Sequence, residues 1–312
     1  MTAVHTVTMN PAVDVSTAVD RMTPVHKLRC TGAQRDPGGG GINVARVVSR
    51  LGGIARAIFP VGGATGEQLH RLVVAEGIEC LVTEIADETR LSFTVLENET
   101  GNEYRFVLPG PMLGDVELQN CFDLLAAMSD RPGMLVISGS LPRGVPDDFY
   151  ARLVRLAKTW SKKVVLDTSG LALQAALTEG VYLIKPNLRE FCELTGAPLD
   201  DEETWLPACR ELITTGKAEI VALTLGHRGA LLAGHDFAWR APALPIKPVS
   251  TVGAGDCFVG AMVWALAGGA DMKNAFRYGV AAGSAALLTP GTGLCTREDV
   301  ERLYPAVRLF GV

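Results

Sequence analysis

The sequence lacks the features that would mark a membrane protein, a disulfide-stapled scaffold or a zinc site. No window approaches 18 consecutive apolar residues, and the start, MTAVHTVTMNP, has neither the basic nor the apolar stretch of a secretion signal. A cytoplasmic protein is expected. The seven cysteines (Cys30, Cys80, Cys121, Cys192, Cys209, Cys257, Cys295) are odd in number and never spaced as CxxC, so they are expected to be buried small hydrophobes. A net charge of −5 gives no global field to attract nucleic acid, and any anionic ligand must be held by a local cluster of cations. The usual engines are missing too. GxxxxGK[ST] does not occur, since Gly62 to Glu67 ends in Gly-Glu and Gly216-Lys217 is followed by Ala218; HRD, DFG, HExxH and GxSxG are also absent. The five histidines are dispersed, and His227 in TLGHRG reads as a loop residue rather than a ligand.

What the chain does have is rhythm. At 312 residues and 48% hydrophobic it can bury one large core. Short β-rich runs (HTVTM, RAIFPVGG, LVISGSL, KVVLDTS, VYLIKPN, EIVALTLG) alternate with helical spacing, which predicts a parallel sheet between helix layers. Two segments break the pattern, 12–35 and 88–108; they alternate in strand fashion, turn at Glu99-Thr100-Gly101-Asn102, and have no adjacent helix to cover them. They are expected to form a small β-lid on a single α/β domain. The lid gathers Lys27, Arg29, Arg35, Arg90 and Arg105, either as a solvated polar face or as the local cation cluster that an anion requires. Its uncovered face would suit a lid-to-lid homodimer.

Three motifs carry chemistry. PGGGGINVARVVSRLGG (Pro37 to Gly53) removes every Cβ from Gly38, Gly39, Gly40 and Gly41 and then opens a helix, so backbone amides could close on a ligand. No apolar strand feeds it and no acidic residue follows about 20 residues on, which excludes a dinucleotide fingerprint. Asn43 could bond a sugar hydroxyl or merely cap its own helix. STVGAGDCFVGAMVWALAGG (Ser250 to Gly269) is the more specific: Gly253, Ala254 and Gly255 at the start of a long apolar helix form an anion hole. A carboxylate there, Asp256, repels the anion the hole attracts. It is a poor choice unless it accepts a proton. IKPNLRE places Lys185 within reach of a phosphate, while Asn187 and Glu190 share one helix face and read either as Mg²⁺ contacts through water or as a plain capping box.

With these motifs in this order, the chain resembles the ribokinase-like (PfkB) carbohydrate kinases along essentially its whole length. The resemblance implies a three-layer α/β/α ribokinase-like body over 1–312 with the β-lid, and phosphoryl transfer from Mg·ATP to a sugar-phosphate hydroxyl with Asp256 as base. It implies that Asp14 bonds sugar hydroxyls beside Gly39 to Asn43, and that Lys27, Arg29 and Arg90 hold the substrate's phosphate, some of them across a dimer, with Ser140 a further contact. It also implies that Thr224, Gly226 and Gly229 run along the ATP phosphates and ribose, and that Val280, Ser284 and Thr289 line the adenine pocket. Ser250, Val252, Ala286 and Gly291 match a K⁺ site. Relatives acting on fructose 1-phosphate or tagatose 6-phosphate carry GGKG where this chain has Gly40 in GGGG, which favours fructose 6-phosphate as acceptor with those sugars as alternatives. Thr289 and Gly293 depart from the expected Asn and Arg, which bears on whether K⁺ is required. The intact GAGD argues against a sugar-phosphate sensor that has lost catalysis.

Overall fold

The computed structural model describes residues 2–128, 131–160, 163–199 and 201–312. Seven strands form the parallel part of one sheet: β1 (Val4–Val7), β4 (Ala55–Val61), β5 (Glu79–Glu84), β8 (Met134–Ser138), β9 (Lys163–Asp167), β10 (Val181–Ile184) and β11 (Ala218–Thr224). β12 (Ala230–Ala233), β13 (Ala238–Ala241) and β14 (Phe310–Gly311) extend it antiparallel, giving the order β14-β13-β12-β11-β10-β9-β8-β1-β4-β5. The strand order reverses between β1 and β8, the place where open α/β sheets bind ligands beyond their carboxyl ends.

The central strands read as unbroken apolar runs because both faces are covered. Along β8, Met134 and Val136 enter one core while Leu135 and Ile137 enter the other. The first core is closed by α1 (Gly40–Arg50), α2 (Gly63–Ala75), α8 (Ala254–Ala267), α9 (Met272–Ala286) and α10 (Arg297–Leu303); the second by α3 (Asp115–Ala126), α4 (Phe149–Thr159), α5 (Gly170–Leu177), α6 (Leu188–Thr195) and α7 (Glu202–Thr214). None of the helices among the described residues is long and apolar enough to cross a membrane.

The run EIVALTLG departs from expectation. Instead of feeding a helix, β11 ends in a single 3-10 turn, Gly226–Arg228, with Gly226 and Gly229 at positive φ, and Leu225 N–H closes on the Gly229 carbonyl to send the chain back as β12.

The lid is a second sheet of order β3-β2-β6-β7, made of β2 (Ala12–Val19), β3 (Gln34–Gly38), β6 (Arg90–Glu97) and β7 (Glu103–Val107). β3 runs past residue 35 into the glycine motif, so Pro37 and Gly38 are strand rather than loop. Nor is the lid free of helical cover, since α2 packs along β2 and β3. The cysteines are mixed: Cys121, Cys209, Cys257 and Cys295 are buried, Cys80 and Cys192 half-buried, and Cys30 exposed on the lid, correcting the expectation that all are buried.

Candidate active site

The glycine motif lies at the switch point. A Cβ on Gly40 would fall 2.2 Å from Ser138 Oγ at the end of β8, and one on Gly41 would fall 2.6 Å from Thr8 Oγ1 just beyond β1. Gly39 adopts φ 116° and lies against Thr8 and Pro11, and a Cβ on Gly38 would meet the Asp14 carboxylate at 2.3 Å. The missing side chains are therefore needed for α1 to dock on the strand ends, whatever ligand the exposed amides meet.

That docking aims Asn43 at the second motif. Its Nδ2 donates to Asp256 Oδ2 at 2.8 Å, so the amide read as a sugar contact also holds the carboxylate. Asp256 stands in the first turn of α8, whose N-cap is Gly253 in the left-handed region. The first-turn N–H groups of Ala254, Gly255 and Asp256 have no acceptor within the helix and carry its positive dipole end. Lys185 completes this concavity, for a Cβ on Gly255 would lie 3.2 Å from its Nζ.

Asp167, at the carboxyl end of β9, was not singled out in the sequence. Its Oδ1 lies 3.1 Å from Lys185 Nζ. The signal that could have found it is the lone Asp at the end of the apolar run KVVLD, where sheet ligands sit. Burial alone would lower the Lys185 ammonium, but Asp167, Glu190 and Asp256 together hold it above its usual range. Burial pushes the Asp256 carboxyl up to about 7 and the Asp167 charge adds to it, against the Asn43 hydrogen bond and Lys185. The result is a buried acid poised near neutrality beside an anion hole.

On the lid side, burial raises Asp14 to about 6, against Arg105, Arg90 and Arg46. Arg90 donates to the Asn10 carbonyl at 3.0 Å, while its buried Nε and the buried Oδ1 of Asn10 have no partner among the described residues. Asn10 Nδ2 in turn donates to Ser140 at 3.1 Å, so Arg90 on the backbone carbonyl and Ser140 on the side chain meet at one residue with polar capacity to spare. Lys27 and Arg29 are not brought to this place. Thr31 pairs with Ala18, so both cations lie at the far end of the β2–β3 hairpin, about 20 Å of strand from the Ala12–Arg90 end.

Asn187 and Glu190 form a reciprocal capping box, each accepting the other's backbone N–H at 2.9 Å. One Glu190 oxygen and the Asn187 amide nitrogen stay outside it. Thr224 bridges to Asn187 across β10 and β11, followed by the 3-10 turn that Gly226 opens and Gly229 caps, with His227 exposed between them. Val280, buried, and Ser284, half-buried, lie on α9 along α8. Ser250 Oγ donates to Glu103 of the lid at 2.9 Å and lies 3.3 Å from the Gly291 carbonyl; Val252 N–H donates to it at 3.2 Å. The Ala286 carbonyl accepts the Thr289 N–H at 3.2 Å. Thr292 bonds both Asp36, at 2.7 Å, and Ser16, at 3.1 Å, so the lid is tied to the body on this side as well. No group of three His, Cys, Asp or Glu side chains among the described residues could hold a metal ion alone.

Residues 7–299 match the pattern of the pfkB family carbohydrate kinases. The chain is 46% identical over 299 residues, 96% of its length and 88% of the other, to the ATP-dependent 6-phosphofructokinase isozyme 2 of Mycobacterium tuberculosis (strain ATCC 25618 / H37Rv). The crystal structure of the Escherichia coli phosphofructokinase-2 in complex with potassium superposes with a TM-score of 0.94 at 40% identity, over 98% of this chain and 99% of that one. The tetrameric inhibited form of that Escherichia coli protein gives 0.92, again at 40% identity, over 98% of this chain and 99% of its own. A likeness of this extent, on a ribokinase-like body whose glycine motif and α8 turn meet at the switch point, leaves one conclusion: the chain belongs to the pfkB family of carbohydrate kinases.

Proposed function

We propose that this chain is an ATP-dependent 6-phosphofructokinase, transferring the γ-phosphoryl group of ATP to the C1 hydroxyl of D-fructose 6-phosphate to give fructose 1,6-bisphosphate and ADP. The observation that carries it is Asp256, a buried carboxylate held by Asn43 and poised near 7 at the mouth of the α8 anion hole. As the hydroxyl oxygen bonds to phosphorus and the bond to ADP breaks, Asp256 takes the hydroxyl proton. The amides of Gly253 to Asp256 and the Lys185 ammonium receive the charge of the migrating group. Mg²⁺, when bound with ATP, neutralises the β and γ oxygens. Hard oxygen donors suit it, and Glu190 with Asn187 would hold it through water and phosphate.

Asp14 orients the sugar hydroxyls and Arg90, whose Nε has no partner among the described residues, meets the 6-phosphate. Lys27 and Arg29, too distant within one protomer, reach this phosphate from a second copy in a lid-to-lid homodimer. The edge strand β7 offers exposed Phe106 and Val107, followed by Leu108, as its apolar contact. Ser250 and the carbonyls of Val252, Ala286 and Gly291 suit K⁺ beside the anion hole, and the Glu103 carboxylate adds charge there. Both substrates belong to the cytoplasm, where the enzyme acts.

A coupled ADP-release assay over fructose 6-phosphate, tagatose 6-phosphate and fructose 1-phosphate, with and without K⁺, tests the reading. The highest kcat/KM is expected for fructose 6-phosphate. A clear preference for tagatose 6-phosphate or fructose 1-phosphate would replace the assigned substrate.

A further inference from the structure

Arg46 follows Asn43 by three residues on α1, so the two share a helix face, and it is one of the most completely buried charges in the chain at 1% exposure. Its Nε and Nη2 reach Glu76 at 2.8 and 2.7 Å, and its Nη1 donates to the Pro37 carbonyl at 2.9 Å and to Asn43 Oδ1 at 3.2 Å. Asp36 lies 3.8 Å from Nη2. A buried guanidinium is costly, and the carboxylates of Glu76 and Asp36 offset its charge without any help from Asn43. The bond to Asn43 therefore has a different consequence.

A guanidinium only donates, so the atom of Asn43 that faces it must be the carbonyl oxygen. The NH₂ end then has to face Asp256, as the 2.8 Å contact to Oδ2 shows. Without Arg46 the carboxamide could turn over and present its oxygen to Asp256, an arrangement that only a protonated acid satisfies. We propose that Arg46 is a positioning residue for phosphoryl transfer, which locks the polarity of the Asn43 amide and so keeps Asp256 Oδ2 an acceptor and leaves the second carboxylate oxygen for the sugar's proton. This rests on Asp256 being the base.

The charged groups around this relay come from several elements. Asp256 is faced by Asp167 at the end of β9, Lys185 beyond β10 and Asp14 on β2, with the Cys257 thiol beside it on α8. Arg46 is faced by Asp36 on β3, Glu76 beyond α2 and Asp14. Among the described residues, the hydrogen-bonded path from Arg46 to Asp256 runs through Asn43.

The test compares Arg46→Met, Arg46→Lys and Glu76→Gln with the wild type in steady-state kinetics with fructose 6-phosphate across pH, alongside thermal melts. Arg46→Met is expected to lower kcat about tenfold or more, leave both KM values within about threefold, and move the acid limb of the kcat profile up by about one pH unit. Arg46→Lys, which keeps a donor for Asn43, recovers most of kcat. Glu76→Gln lowers the melting temperature and leaves the acid limb in place. If Arg46→Met does not fold, Asn43→Leu breaks the same relay at its next link and is expected to show the same kcat loss and upward shift. A folded Arg46→Met, or failing that Asn43→Leu, with an unmoved acid limb would overturn the proposal, as would an equal shift in Glu76→Gln. Asp256→Asn separates the two readings: if it stays active the base assignment falls, whereas if it is inactive and the relay variants are unshifted only the role of Arg46 falls.

Discussion

Lys185 Nζ and Asp167 Oδ1 lie 3.1 Å apart at the carboxyl ends of neighbouring strands, and both press on the same third group, Asp256. Asp167 raises the Asp256 carboxyl, while Lys185 lowers it. Replacing Asp167 by Asn removes the repulsion and leaves the ammonium to Asp256 and Glu190. The acid limb of the kcat profile should therefore move to lower pH, by about one unit. A limb that stays put or rises would show that Asp167 does not act on the base.

How much of this was readable in the sequence differs from residue to residue. The glycine run and GAGD announced themselves because their backbone demands are local: a helix must start there and no Cβ fits. Asp167 was hidden because one Asp after an apolar run looks the same at a silent strand end as at an active one; only the pairing of β9 with β10 brings it to Lys185. Arg46 gives no signal in the sequence because a single Arg on a helix looks like a solvated charge, whereas β3 and the end of α2 bury it. EIVALTLG was indistinguishable from the other strand runs, since two glycines and distant pairing with β13 decide that its successor is a strand. The ties between Glu103 and Ser250, and between Asp36 and Thr292, join residues 147 and 256 positions apart, beyond the reach of any local pattern.

Arg90 bonds the Asn10 carbonyl at 3.0 Å and retains a buried Nε with no partner among the described residues, at the place proposed for the sugar phosphate. Arg90→Ala is expected to raise KM for fructose 6-phosphate by about tenfold or more with KM for ATP nearly unchanged. Steady-state kinetics with each substrate varied in turn would show it. A variant weakened toward ATP alone would refute the assignment.

Thr289 and Gly293, the two departures from the expected motif, form one structural unit. A Cβ on Gly293 would sit 2.2 Å from Thr289 Cγ2, so the threonine occupies the space a side chain at 293 would need. Gly293→Ala should cost about 1–3 kcal/mol, and Thr289→Ser, which deletes the offending methyl, should recover most of it in the double variant. Urea unfolding of the four proteins completes the cycle, and strictly additive effects would contradict the pairing.

Burial gives Asp256 a folded-state value near 7, against 3.8 for the ordinary group, so the folded protein without ligands holds this proton more tightly than the unfolded chain. The associated stability is complete below about pH 4 and declines as pH rises through about 7. Asp256→Asn removes the decline while keeping an acceptor for Asn43. Its melting temperature should exceed the wild type's at pH 8, and the difference should fade toward pH 4. An advantage that grew on acidification would have the wrong sign.

The central claim is that Asp256 accepts the proton of the sugar hydroxyl, and its most direct test is the turnover of Asp256→Asn with saturating Mg·ATP and fructose 6-phosphate in the ADP-release assay. The expected result is a fall in kcat of about 10² or more, with both substrates still bound at near wild-type KM. A folded Asp256→Asn protein turning over within a few-fold of the wild type would contradict it.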